Sequence, residues 1–485
     1  MIDTKALRSR VLDLAIQGKL TEQLESDGTA EELWQQIQAE KQRLVKEGKL
    51  KKEKSLPEIS DNEIPFEIPE NWKWVRMGAV YSFNPSVEAD ESIDAAFIPM
   101  DKISAGYNRD FSFEVQKWEA ASKNHTKFSD GDVAFAKITP CFENRKSFVA
   151  EGLPNTIGGG TTELIILRQP FIFSYYTYLL IIQQRFIDAG VSTYKGTAGQ
   201  QRVKNDALKQ YLIPLPPLAE QKRIVARVEE IFRLLDIIDA AQEQYAADAE
   251  SLKAKLITLG IQGRLTEQLA SDGTAEELYQ QIQAEKQRLI KEGKIKKEKP
   301  LPEISEDEIP FEIPENWKWV RLGDLSAKIT DGTHHSPVNT ASGDFMYVTA
   351  KNIKDNGVDL SNITYVSKDV HEEIVARCNP ELNDILLIKD GATTGIVTVN
   401  NISEPFSLLS SVALIKPVVG MVDPWYIVYV LRSSLFYKSI RAQMTGTGIT
   451  RIVLRQIEPF LVPLPPLAEQ KRIAETLERV LGVLG

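Results

Sequence analysis

A chain of 485 residues with 42% hydrophobic and 26% charged side chains has the composition of a globular protein of about two to four domains, which excludes disorder as the starting point. No apolar run approaches a membrane span, no secretory pattern precedes a cleavage site, and two cysteines, Cys141 and Cys378, make no disulfide framework, so the expectation is a cytoplasmic protein without a membrane partner. The net charge of −10 argues against nucleic acid only at first sight: residues 71–213 carry 16 basic and 15 acidic side chains, residues 316–462 carry 14 of each, and a local basic face is compatible with both.

Residues 16–76 recur at 261–321 with a constant offset of 245, and 53 of the 61 positions are identical. A second string closes each copy, LIPLPPLAEQKRI at 212–224 and LVPLPPLAEQKRI at 461–473. Between these near-copies lie two stretches that share little. A period this long signals domain-sized units rather than a solenoid. The chain therefore divides into 1–70, part of an outer helical spacer with its connector, and 71–213, a first variable domain. There follow 214–315, a central helical spacer with its connector, 316–462, a second variable domain, and 463–485, the rest of the outer spacer. The C-terminal segment matches the start of the central helix and the N-terminal segment matches its end, so the repeat is cyclic.

In chain order, Leu7, Val11 and Leu14 mark the apolar face of the N-terminal helical segment. Thr29 and Glu32 have capping-box spacing and start a second helix. A Pro- and Glu-rich connector leads to Trp72 and Trp74, whose rings could stack on bases or dock the connector onto a core. Docking is preferred, because both copies share them. In the first domain 132–138 and 161–168 read as strands and 174–190 as helix. A long helix over 219–259, roughly 60 Å at 1.5 Å per residue, carries a heptad seam. The seam runs through Ile224, Val228, Ile231, Leu235, Ile238, Gln242, Tyr245, Ala249, Leu252, Leu256 and Leu259, with Gln242 as its polar interruption. Thr274 and Glu277 repeat the capping box, and Trp317 with Trp319 open the second domain. There 384–390 aligns with 132–138, 410–417 with 161–168, and 424–440 reads as helix, so both domains are α+β versions of one fold.

No catalytic signature stands. There is no phosphate loop of the GxxxxGK[ST] kind, no Asn/Asp-Pro-Pro-aromatic methyltransferase motif and no convincing nuclease cluster. Gly158, Gly159 and Gly160 read as a turn. Asp331, His334 and His335 offer three potential metal ligands, yet a structural zinc site wants four, and a polar loop is the preferred reading. Candidate DNA contacts come from loops at matching places. KGTAGQQR (195–202) aligns with MTGTGITR (444–451), which singles out Lys195, Thr197, Gly199 and Arg202 beside Thr447, Gly448, Thr450 and Arg451. Glycine admits a close phosphate, and Thr and Arg donate to it; alternatively the glycines shape a turn and the arginines pair with frame acids. Lys137 and Lys389 sit at matching strand ends, followed by Lys146 and by Thr393 and Thr394. Base-reading candidates are Asn144, Arg145, Gln200 and Gln201 in the first domain and His334, His335, Asn352 and Lys354 in the second; Thr333 and Lys351 are further candidates for DNA contact.

The strings IPENWKWVRLGDL opening a variable domain, GDVAFAKITPCFEN inside one and LIPLPPLAEQKRI closing one resemble the specificity subunit of type I restriction–modification enzymes over essentially the whole chain. The resemblance implies an α+β chain with two similar target-recognition domains separated by long antiparallel coiled-coil helices, in a pseudo-twofold cyclic repeat. It implies a non-catalytic subunit in which each domain reads one half of a bipartite, asymmetric site on double-stranded DNA. The helices would set the spacing and dock two methyltransferase subunits, with motor-nuclease subunits joining the full complex. S-adenosylmethionine, ATP and Mg would then belong to those partners, and no cofactor to this chain. The alternative from the residues alone is a coiled-coil protein-interaction scaffold that reads no DNA.

Overall fold

The computed structural model describes residues 1–48, 56–195, 200–441 and 451–484. The chain forms two compact units, Met1–Glu243 and Gln244–Gly485. Each gathers helical frame segments from both sides of one variable domain, and the 44-residue helix Leu218–Ile261 contributes its first part to one unit and its second part to the other.

In the first unit the N-terminal helix Thr4–Ile16 runs antiparallel to the long helix. Thr4 donates to Asp239, Arg8 reaches Asp239 and Asp236 at 2.8 Å, and Gln242 clasps the backbone of Ile2. The buried face is Thr4, Arg8, Leu12, Ala15 and Ile16, set against Ile224, Val228 and Leu235. This corrects the expected seam by about one residue: Leu7 is 42% exposed, and Val11 and Leu14 are half-buried. Two polar residues occupy the interface because their partners Asp236 and Asp239 satisfy them there, and an apolar pattern cannot register that. Ile231 and Ile238 are half-buried. In the second unit the same helix buries Ala249, Ile257, Gly260 and Ile261, while Leu252 (44%) and Leu259 are exposed and Leu256 is half-buried. Gly260 explains the shift, since a Cβ there would lie 3.2 Å from both Ile473 and Leu477 of the C-terminal helix Leu467–Val483.

The frame copies fold alike. Helices Ala30–Lys46 and Ala275–Lys291 bury Leu33 with Ile37 and Leu278 with Ile282. The Thr274–Glu277 capping box is complete, and Thr29 caps Glu32. Each variable domain is stitched at its root by an antiparallel pair, Lys73–Arg76 with Leu212–Leu215 and Lys318–Arg321 with Leu461–Leu464.

Inside each domain the main sheet has one strand order, all antiparallel. In the first domain it is Ser82–Phe83, Leu164–Arg168, Val133–Ala136, Ser147–Val149; in the second, Ser326–Asp331, Val412–Pro417, Ile385–Ile388, Val397–Val399. The central strands are covered on both faces and so read as continuous apolar runs. Ala136 pairs with Leu164 and Ile388 with Val412, so Leu164 answers Val412 and the expected alignment of 161–168 with 410–417 is one residue out. The corrected register brings one ion pair to the same place twice, Arg168–Asp132 at 2.6 Å and Lys416–Asp384 at 2.7 Å. The expected helices appear, each broken once, at Gln183 and at Ser433.

The second layer is where the domains part. Both have a parallel central pair, Asp94–Ile98 with Ile157–Gly160 and Phe345–Val348 with Phe406–Leu408. Gly158–Gly160 is therefore strand, not turn. A Cβ on Gly159 would sit 1.8 Å from the Ala121 carbonyl, so only glycine lets the helix Trp118–Ser122 lie on that strand. At the matching place Ser407 accommodates the helix Lys368–Arg377 and meets buried His371 at 2.9 Å.

Candidate nucleic-acid interface

The duplicated frame residues are occupied with structure. Trp72 donates its indole N–H to Glu220 at 2.8 Å and Trp317 donates to Glu469 at 2.9 Å. Both carboxylates are fully buried and also accept from the start of the duplicated segment, Glu220 from Gln23 and Thr21, Glu469 from Gln268 and Thr266. Burial pushes both carboxyl groups up, against those donors. Trp74 and Trp319 stand edge-on to Phe66 and Phe311. The tryptophans thus dock the connector, as their presence in both copies suggests.

What remains for recognition lies at the far end of the main sheet. Lys137 ends one central strand, and its carbonyl accepts the N–H of Val203 at 2.9 Å; the Lys389 carbonyl accepts the N–H of Ile452 at 2.8 Å. Backbone bridges Ile138–Arg202 and Asp390–Arg451 complete the same junction. The C-terminal ends of the two candidate loops, Arg202 and Arg451, therefore stand at one equivalent place. Thr197, Gly199, Thr447, Gly448 and Thr450 lie outside the described residues.

In the first domain Arg202 pairs with Glu163 at 2.7 Å, which lowers the Glu163 carboxyl below its ordinary range. Its partner comes from its own domain, not from the frame. Lys204 is exposed, and its interaction with the Lys195 side chain, then desolvation, then the like charge of Lys195 lower it from its ordinary value. Lys137 is half-buried near Glu163. Asn144, Gln200 and Lys195 are exposed, and Gln201 is half-buried with its carbonyl taking the Thr139 N–H. Arg145 and Lys146 are turned to loop support: Arg145 donates to the Ile182 carbonyl at 2.7 Å and lies over Tyr107, and Lys146 donates to the Met100 carbonyl at 2.8 Å.

In the second domain a chain of alternating charge runs along the same edge. Arg377 and His334 meet Asp331, Asp331 meets Lys389 at 3.4 Å, Lys389 meets Asp390 at 3.0 Å, and Asp390 meets Arg451 at 3.1 Å. Two of the candidates are buried. Lys389 is buried between two carboxylates, and buried Asn352 spends its amide on the Thr349 N–H and the Asp359 carbonyl. His335, Lys351, Lys354 and Thr393 are exposed, Thr333 is hydrogen-bonded within the His335 turn, and Thr394 donates to the Gly391 carbonyl. Residue types alone did not reveal Glu163, Lys204 or Arg377; the cation-to-carboxylate alternation at strand ends is the signal that could have found them.

The family model for the type I restriction modification DNA specificity domain matches twice, at residues 69–244 and 314–483. The chain is 35% identical to the type I restriction enzyme EcoAI specificity subunit of Escherichia coli, over 98% of this chain and 89% of that one. The chain belongs to the type I restriction–modification specificity subunits. It is also 38% identical to the EcoEI specificity subunit of Escherichia coli, over 68% of this chain and 63% of the relative. The fold is shared with the HsdS subunit from Thermoanaerobacter tengcongensis, at a TM-score of 0.52 and 18% identity over 87% of this chain and 93% of that one. It is shared too with a chain solved in work on complex assembly and conformational transition of the type I R-M system, at a TM-score of 0.62 and 20% identity over 87% and 92%. The chain carries two copies of the DNA specificity domain and is the specificity subunit, not the catalytic member, of its system. Among the described residues no helix is long and apolar enough to cross a membrane.

Proposed function

We propose that each recognition domain of this specificity subunit reads one half of a bipartite, asymmetric site on double-stranded DNA, and that the frame helices set the spacing and dock two methyltransferase subunits. The observation that carries the reading is the equivalent junction at Lys137–Arg202 and Lys389–Arg451, where the same lysine and arginine meet unlike partners, Glu163 in the first domain and Asp331 with Asp390 in the second. Equal supports with unequal tips suit two half-sites of different sequence. Partner docking rests on duplicated exposed apolar residues: Leu24 and Leu269 are both 37% exposed, and Ile64 and Ile309 are exposed likewise. One surface printed twice suits two copies of one partner. Motor-nuclease subunits would complete the restricting complex, and S-adenosylmethionine, ATP and Mg would bind in the partners, one of which must flip its target base out of the stack.

The test is co-expression with a cognate methyltransferase subunit, followed by mapping of modified bases across a genome. A split motif with two unlike halves is expected. A continuous motif, or binding of the complex to DNA without dependence on salt, overturns the reading in favour of a protein scaffold.

A further inference from the structure

Arg202 is held through only part of its guanidinium. Of its five N–H donors, Nε and Nη2 go to the Glu163 carboxylate at 2.7 to 3.1 Å, and Nη1 goes to the Gln200 carbonyl at 3.2 Å. The planar group then keeps two donors, one on each Nη, side by side on the edge opposite Nε. The side chain as a whole is 45% exposed. The backbone that carries this carboxylate is itself fixed. Glu163 takes the Lys137 N–H on its carbonyl at 2.8 Å and gives its own N–H to the Thr161 hydroxyl at 3.3 Å, at the entrance to the strand Leu164–Arg168.

The charge of this unit decides what it recognises. A guanidinium neutralised by a bidentate carboxylate adds little to phosphate attraction, which grows with net positive charge. What it offers is a stiff, planar pair of donors. Lys195 and Lys204, both exposed, are the groups of the same edge suited to phosphate. A pair of parallel donors on arginine matches the two major-groove acceptors of guanine, O6 and N7.

We propose that Arg202 is a specificity-determining residue that reads a guanine in the half-site of the first recognition domain, with Glu163 as its positioning residue. The inference rests on the two-half-site reading above. Its test uses the full chain in complex with its methyltransferase subunit, comparing maps of modified bases for wild type, Arg202→Lys and Glu163→Gln. Arg202→Lys keeps the charge and loses the fork. It is expected to make one G position in one half-site degenerate and to cut methylation of the original site about tenfold or more, with the other half-site intact. Glu163→Gln is expected to loosen that same position to a smaller degree, with the salt slope of DNA binding unchanged. An unaltered motif for Arg202→Lys in a complex of wild-type melting temperature overturns the inference. So does an even loss across all sequences in Arg202→Ala with the salt slope reduced by about one, which marks a phosphate contact. A wild-type map without a split motif overturns the half-site reading itself, and this inference with it.

Discussion

In the first unit Trp72 meets Glu220 at 2.8 Å, and in the second Trp317 meets Glu469 at 2.9 Å, with the same two helpers from the start of the duplicated segment each time. A few strands away the likeness stops: Gly159 lies under a helix that tolerates no side chain, where Ser407 carries a hydroxyl bound to His371. The frame repeats because a buried carboxylate needs every one of its donors, and losing one leaves a charge-bearing group unsatisfied. The second layer diverges because a strand and a helix can meet at several spacings, provided the facing residues change together.

The largest way to test that contrast is Trp72→Ala, expected to cost about 3–5 kcal/mol in urea denaturation, with Trp317→Ala matching it. Unequal losses would show that the knots are alike in geometry only. Next, Leu235→Ala should cost about 2–4 kcal/mol, whereas Leu252→Ala should stay within about 0.5 kcal/mol, because it lies off the buried face. Gly159→Ala is expected to lose about 1–3 kcal/mol or to force the Trp118–Ser122 helix away, while Ser407→Ala should lose only about 1 kcal/mol with its hydrogen bond.

The smallest effect is a dependence on pH. Glu63, held by the Ser60 N–H, the Ser60 hydroxyl and then Arg76, has its carboxyl lowered to about 2; Glu308, held first by Arg321 and then by the Ser305 N–H, is lowered likewise. A depressed folded value means stability that is present above the unfolded value of about 4.5 and is lost as pH falls from there toward 2. Hydrogen-exchange protection factors along both connectors, taken against the intrinsic exchange rate at each pH, should therefore fall in that window. Glu63→Gln and Glu308→Gln should flatten the response in their own connector only.

The sequence made the repeat, the strand-opening tryptophans, the capping threonines and the main-sheet strands readable, since each follows from short-range pattern. It misplaced the helix seam because Thr4 and Arg8 are buried through partners more than 220 residues away. It misread Gly158–Gly160 because a run of glycines looks like a turn until the helix above it is known. Of the candidate contacts, Lys389 and Asn352 look like surface polar residues in any window of the chain, and only the fold reveals the carboxylates and backbone groups that absorb them.

Lys73 pairs with Leu215 and Arg76 with Leu212, and Lys318 pairs with Leu464 and Arg321 with Leu461. Each recognition domain consequently enters and leaves its support through adjacent strands, like a plug with two pins. Any insert able to present such a pair of ends could be seated in either socket without disturbing the helices. New DNA preferences could then arise by exchanging a whole cartridge, with no need to evolve the surrounding machinery again.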